Sequence, residues 1–457
     1  TRWNNTDPTD TVFTVGSDTD VNASGSTYVA YIFAHNDGDG EFSPDGDQDS
    51  IQCGSFTEGA SGASIDLGFE PQFLLFKRSS GTSEWYIVDA MRGMPVGGTD
   101  VVLNANSSAA EGTIGDSIDL TPTGFNVNPL FGNTQTSIYM AIRRGPLAQP
   151  ESGTEVFAPV AYTGTGSART TATGFVTDLS IIKSRATYSP SFEDRLRGAN
   201  KVLESSSSGA EVSTSQYITG FDLNNGVELG TDVGVNQSGT GFINWSWKRA
   251  PGFFDVVAYT GDDTVRNVPH NLGVAPEMFW VKARTTGPAG NQSWYVWHKD
   301  LSASNDKYLN LDNASGASSP RDTWNYTAPT DTVFTVKDDP KVNKGSDYIA
   351  YLFATVPGVS KVGSYTGNSI NGRVIDCGFT SGARFVLIKS TSLTGDWHVF
   401  DTERGLVSGN DARLELNTTD AETSSADIID PSSSGFALTN RDECNEDGVD
   451  YIFYAIA

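Results

Sequence analysis

Apolar positions in this chain come in short runs, β-branched or aromatic, divided by stretches rich in Gly, Ser, Thr, Asn and Asp. Helical spacing is scarce, so the pattern predicts strands joined by turns. The clearest series runs from Lys361 to Ala457. It opens with Gly363-Ser364-Tyr365-Thr366-Gly367 and continues into Phe385-Val386-Leu387-Ile388, closed by Lys389. Trp397, Asp401, the pair Arg404-Gly405, Leu414, Leu416, Gly435-Phe436 and Tyr451-Ile452-Phe453-Tyr454 follow. Strands are predicted near 362–365, 373–377, 384–389, 397–400, 413–416, 435–438 and 451–456. Seven short strands in about 100 residues, with Asn371-Gly372 as a tight-turn pair, suggest a two-sheet antiparallel sandwich.

The series recurs. Lys77, Lys183, Lys282 and Lys389 each close an apolar run, and their spacing of about 100 residues is that of whole domains in tandem, not of solenoid units. The expected class is all-β: tandem sandwiches, jelly-roll or lectin-like, at 52–150, 151–251, 252–357 and 358–457. The second repeat lacks the Trp and has Phe192 nearby. The third has His298 where Asp is expected and lacks the Arg-Gly pair. Residues 1–34 match 322–354, with Trp3 against Trp324, Phe13 against Phe334, and Tyr28 and Tyr31 against Tyr348 and Tyr351. They read as the second half of a truncated repeat whose strands would show open edges. Either upstream residues are missing or a second chain completes the sheet.

Charge narrows the partners. With 56 acidic and 30 basic residues the net charge is −26, which argues against nucleic acid and against docking on anionic lipid. No apolar stretch is long enough for a membrane span. Cys53, Cys377 and Cys444 fall at different places in the repeat, so free thiols are expected over a disulfide framework. The linker 35–51 carries Asp37, Asp39, Glu41, Asp45, Asp47 and Asp49 between glycines. Alternating carboxylates can ring a Ca²⁺ ion, but the EF-hand spacing fails, and a solvated acidic loop is the plainer reading.

Candidate chemistry is sparse. Trp85, Trp294 and Trp397 stand four residues before Asp89, His298 and Asp401, a spacing that puts both side chains on one face of a strand. A ring beside a carboxylate can grip a sugar. The stronger reading is packing, with Asp bonded to Arg92 or Arg404 or to backbone N–H. The lysines closing the runs would snorkel to water. His35, His270, His298 and His398 share no position and form no metal-ligand spacing. No nucleophile elbow or phosphate loop appears, so no enzyme is expected. The sequons at Asn106 and Asn417 follow from composition.

Several phrases taken together carry a resemblance. They include Trp3-Asn4-Asn5-Thr6, Tyr28-Val-Ala-Tyr-Ile-Phe-Ala34, Ile65-Asp-Leu-Gly-Phe-Glu-Pro71, Met91-Arg-Gly-Met-Pro95, Ala250-Pro-Gly-Phe-Phe-Asp-Val-Val257, His270-Asn-Leu-Gly-Val-Ala-Pro276 and Tyr451-Ile-Phe-Tyr-Ala-Ile-Ala457. In these the chain resembles tandem-repeat virion structural proteins of tailed, especially marine, bacteriophages, which are placed among tail or tail-fibre-like proteins. The resemblance implies an exposed virion component with other virion proteins as partners, a homo-oligomer (trimeric by analogy), and a host surface glycan as a candidate target. It supplies no catalytic residues. A capsid decoration or coat without receptor contact, and a bacterial surface filament, are the alternatives.

Overall fold

The computed structural model describes residues 1–35, 46, 48–130, 134–287, 290 and 292–457. From residue 48 onward these form an all-β fold of paired antiparallel sheets, with helix confined to single turns; residues 1–35 hold one helical turn, Thr19–Asn22, and no strand, so the strands expected there do not form, no described sheet neighbour being available to pair with them. In the last repeat the large sheet runs in the order Ser360–Thr366, Asp450–Ile456, Phe385–Ser390, His398–Asp401, Leu414–Glu415. The small sheet runs Arg373–Asp376, Gly435–Leu438, Ile429–Ser432. Ile429–Ser432 is a strand the sequence pattern missed. It is polar, contains Pro431 and lies at a sheet edge, where Pro is tolerated. The other three repeats each hold a large sheet of five or six strands and a small one of two or three.

Registers match from module to module. Leu387 pairs with Val399 and Tyr454, and Val399 pairs with Leu414. In the third module Trp280, Val296, Tyr351 and Leu309 are related in the same way. In the second they are Ile181, Phe192, Trp245 and Leu203. In the first they are Leu75, Ile87, Met140 and Leu103. On this register Pro190, not Phe192, replaces the missing Trp, because it immediately precedes the strand Ser191–Asp194.

One face of each large sheet packs on its own small sheet. In the fourth module that interior holds Val386, Ile388, Phe400, Phe436 and Leu438; separate interiors exist for the third and second modules. The opposite face behaves differently from a string of independent sandwiches. The outward residues of the second, third and fourth modules, among them Ile181, Trp280 and Leu387, join one shared core, which runs on into the first module's own interior at Leu74, Phe125 and Val127. This explains why Leu179–Ser184, Met278–Ala283 and Phe385–Ser390 are buried at every position. A strand covered on both faces needs a continuous apolar run instead of an alternating one.

Candidate functional site

The three-module core is closed by a junction that recurs three times. At each, the lysine ending the third strand of the large sheet reaches a backbone carbonyl of the next module. Lys282 Nζ donates to Ser208 O at 2.9 Å, Lys389 Nζ to Ala314 O at 3.1 Å, and Lys183 Nζ to Thr418 O at 2.8 Å. The third module thus grips the second, the fourth grips the third, and the second grips the fourth: a head-to-tail cycle that closes within one polypeptide. Backbone bonds repeat the same order. Glu211 N–H donates to Arg284 O at 2.8 Å, Ala317 N–H to Thr391 O at 2.7 Å, and Glu422 N–H to Arg185 O at 3.1 Å. Two junctions add an ion pair, Arg284 with Glu211 and Arg185 with Glu422.

These lysines do not snorkel. Lys183, Lys282 and Lys389 are fully buried, and burial pulls each ammonium down to about 8. Carbonyl acceptors satisfy them: Lys389 also donates to Ser390 O at 2.9 Å and Gly395 O at 2.8 Å.

The tryptophans serve the same junctions. Trp294 Nε1 donates to Glu204 O at 2.9 Å and Trp397 Nε1 to Asn310 O at 2.8 Å, each across a module boundary. Phe192 of the second module packs on Trp294 at 4.8 Å between ring centroids. The acids also bind across module boundaries. Asp194 binds Arg197 Nε at 2.5 Å and accepts the Tyr351 hydroxyl of the third module at 2.7 Å. Asp401 binds Arg404 Nε at 2.6 Å and accepts Trp245 Nε1 of the second module at 2.9 Å. Gly198 and Gly405, which follow the arginines, take positive φ of 83° and 117°, a conformation that favours glycine.

The third acid position is the exception. His298 faces burial without an arginine; burial and then Lys299 press its imidazole down to about 3, so it is neutral. Its Nδ1 accepts the Asp300 N–H at 3.1 Å. His298 Nε2 has no hydrogen bond among the described residues.

The sugar-gripping reading therefore does not hold for Trp294, His298, Trp397 and Asp401. All four are at most 1% exposed, and Asp401 and both indoles have their partners inside the protein. Trp85 and Asp89 are half-buried; Asp89 binds Arg92 at 2.6 Å and Lys77 lies 5.9 Å from the Trp85 ring centre. Of the acidic linker, Asp37, Asp39, Glu41, Asp45 and Asp47 lie outside the described residues. Asp49 is described, and among the described residues no three His, Cys, Asp or Glu side chains cluster as a metal site. Cys377 and Cys444 are free and buried in the fourth module's interior, where burial raises both thiols, Cys377 to about 12.

Two features escaped the sequence reading. Asn417 and Asn106, whose sequons follow from composition, each accept the backbone N–H of their module's tryptophan, at 2.8 and 2.9 Å; their fixed offset from Glu422 and Glu111 is the signal in the sequence. The second is a buried charge cluster fastening the first module to the next two. Arg249 forks onto Glu70 at 2.7 and 2.6 Å and binds Asp255 at 2.7 Å, with Arg144 on Glu70 at 3.4 Å. Burial would raise the Asp255 carboxyl, but Arg249 and Arg144 hold it below its ordinary range.

Fold and junctions together define a tandem β-sandwich protein in which three modules form one closed unit. The chain belongs to the family described as a domain of unknown function, DUF7483, which matches residues 1–146 and 152–457. The second match spans the three-module unit. No curated protein and no solved structure matches the chain. No helix among the described residues is long and apolar enough to cross a membrane.

Proposed function

We propose that the chain is a non-enzymatic structural component of a bacteriophage virion, a tail fibre or other exposed appendage. The observation that carries this reading is the closed three-module unit. Its recurring lysines, tryptophans and acids are spent on joining modules, which gives a rigid spacer without disulfides. A net charge of −26 suits a surface exposed to a saline exterior, where salt screens self-repulsion. Other virion proteins are the partners. A host glycan, if bound, would meet loops at the ends of the sandwiches. Immunogold labelling of phage particles with an antibody to the chain should decorate a tail appendage; label confined to host-cell surfaces would overturn the proposal.

One observation favours a purely structural version over receptor binding. Trp397 with Asp401, and Trp294 with His298, are sealed from solvent. A glycan array and a host-cell binding assay separate the two: binding to either supports receptor contact, and silence in both supports a coat or spacer role.

A further inference from the structure

The outward face of the first module has the same register as the faces that form the shared core, yet nothing described covers it. Leu103 is 36% and Ile138 42% exposed, and Leu75, Ile87 and Met140 are half-buried. Their fourth-module counterparts, Leu414, Ile452, Leu387, Val399 and Tyr454, are at most 2% exposed. Lys77, the counterpart of Lys389, bonds only Ser83 O of its own module among the described residues.

A second apolar surface stands open in residues 1–34. Val29, Tyr31 and Phe33 are 80%, 83% and 54% exposed. Their counterparts Ile349, Tyr351 and Phe353 lie in the shared core, where Phe353 meets Tyr454 of the fourth module at 5.1 Å between ring centroids. Residues 1–34 are of the third module's type. The first module is of the fourth module's type: Gly54-Ser-Phe-Thr57 and Ile65-Asp-Leu-Gly-Phe69 stand where the fourth has Gly363-Ser-Tyr-Thr366 and Ile375-Asp-Cys-Gly-Phe379. The order along residues 1–146 therefore repeats the order of the third and fourth modules, and that stretch is matched separately by the family.

We propose that the outward face of the first module is the docking site for a sandwich of the third module's type, the one whose second half is residues 1–34, and that the two form part of a second three-module unit. The fourth-on-third junction supplies the contacts. Lys77 and the Trp85 indole would donate to that module's carbonyls equivalent to Ala314 O and Asn310 O, as Lys389 and Trp397 do. Met140 would occupy the place of Tyr454. Exposed apolar surface of this extent on two complementary elements marks an interaction site.

The test adds residues 252–321, the first half of the third module, ahead of Thr1 in the full chain. Hydroxyl-radical footprinting then reads side-chain exposure. Oxidation of Tyr31, Trp85, Ile138 and Met140 is expected to fall several-fold, with the second to fourth modules unchanged. Leu103→Glu with Ile138→Glu, both at exposed positions where folding tolerates substitution, should restore oxidation of Trp85 and Met140. The proposal is overturned if Tyr31 stays as reactive as before, or if Tyr31 becomes protected while Trp85 and Met140 do not. It is also overturned if the unextended chain sediments as a dimer that the double substitution dissociates, because a second copy would then be the occupant.

Discussion

Phe385-Val386-Leu387-Ile388 and Phe73-Leu74-Leu75-Phe76 are apolar runs of one kind, each closed by a lysine and paired in the same register. Their environments differ. Every residue of the first run is buried; in the second, Leu74 and Phe76 are buried while Phe73 and Leu75 are half-exposed. A run apolar on both faces encodes two burials, one inside its own sandwich and one against a neighbour. In the fourth module both are realised, and in the first module, among the described residues, only one is.

Four experiments bear on that contrast. The largest effect is expected at the buried ion pairs. Arg197→Met would strand the Asp194 carboxylate in the core and cost about 3–5 kcal/mol, whereas Arg92→Met, at a partly exposed pair, should cost about 0–1 kcal/mol. Urea denaturation measures both, and equal losses would erase the distinction between the regions. Next, Leu309→Ala should cost about 2–5 kcal/mol and Leu103→Ala at most about 0.5 kcal/mol, read from the same transitions. A smaller difference separates the indoles. Trp397→Phe leaves the Asn310 carbonyl without its donor and should cost about 1–3 kcal/mol, while Trp85→Phe should leave the transition nearly unmoved.

The last effect is a pH dependence seated at His298. His298 is held at about 3 in the fold against an ordinary value of 6.5. The unfolded chain therefore binds a proton below 6.5 that the folded chain refuses. His298's contribution is complete above 6.5 and is lost as pH falls toward 3. His298→Asn should flatten the fall in melting temperature over that window; an unchanged slope would mean that His298 titrates normally.

Much of the fold was legible because strand periodicity and turn residues are local signals. The repeat, the lysine-ended runs and the pairing of Asp401 with Arg404 three residues on could all be read from neighbouring letters. The purpose of Trp397 could not, because its acceptor, Asn310, lies 87 residues away. The same holds for Trp245 and Asp401, 156 residues apart. A Trp followed by an acid at even spacing suits a sugar site and a module junction equally well until the covering surface is known. Lys183, Lys282 and Lys389 misled for the same reason. A lysine ending a strand usually reaches water, and here carbonyls of its own module together with one from a neighbouring module make full burial tolerable.

By itself the sequence determined that the chain is built of repeated β-sandwiches and that residues 1–34 repeat the letters of 322–354. Those properties depend on backbone periodicity and steric preference, which act over a few residues. Only the tertiary structure decided that three modules close head to tail around one interior while, among the described residues, the first keeps its matching face open. That outcome rests on contacts between surfaces a hundred residues or more apart, and the same apolar letters are compatible with either state.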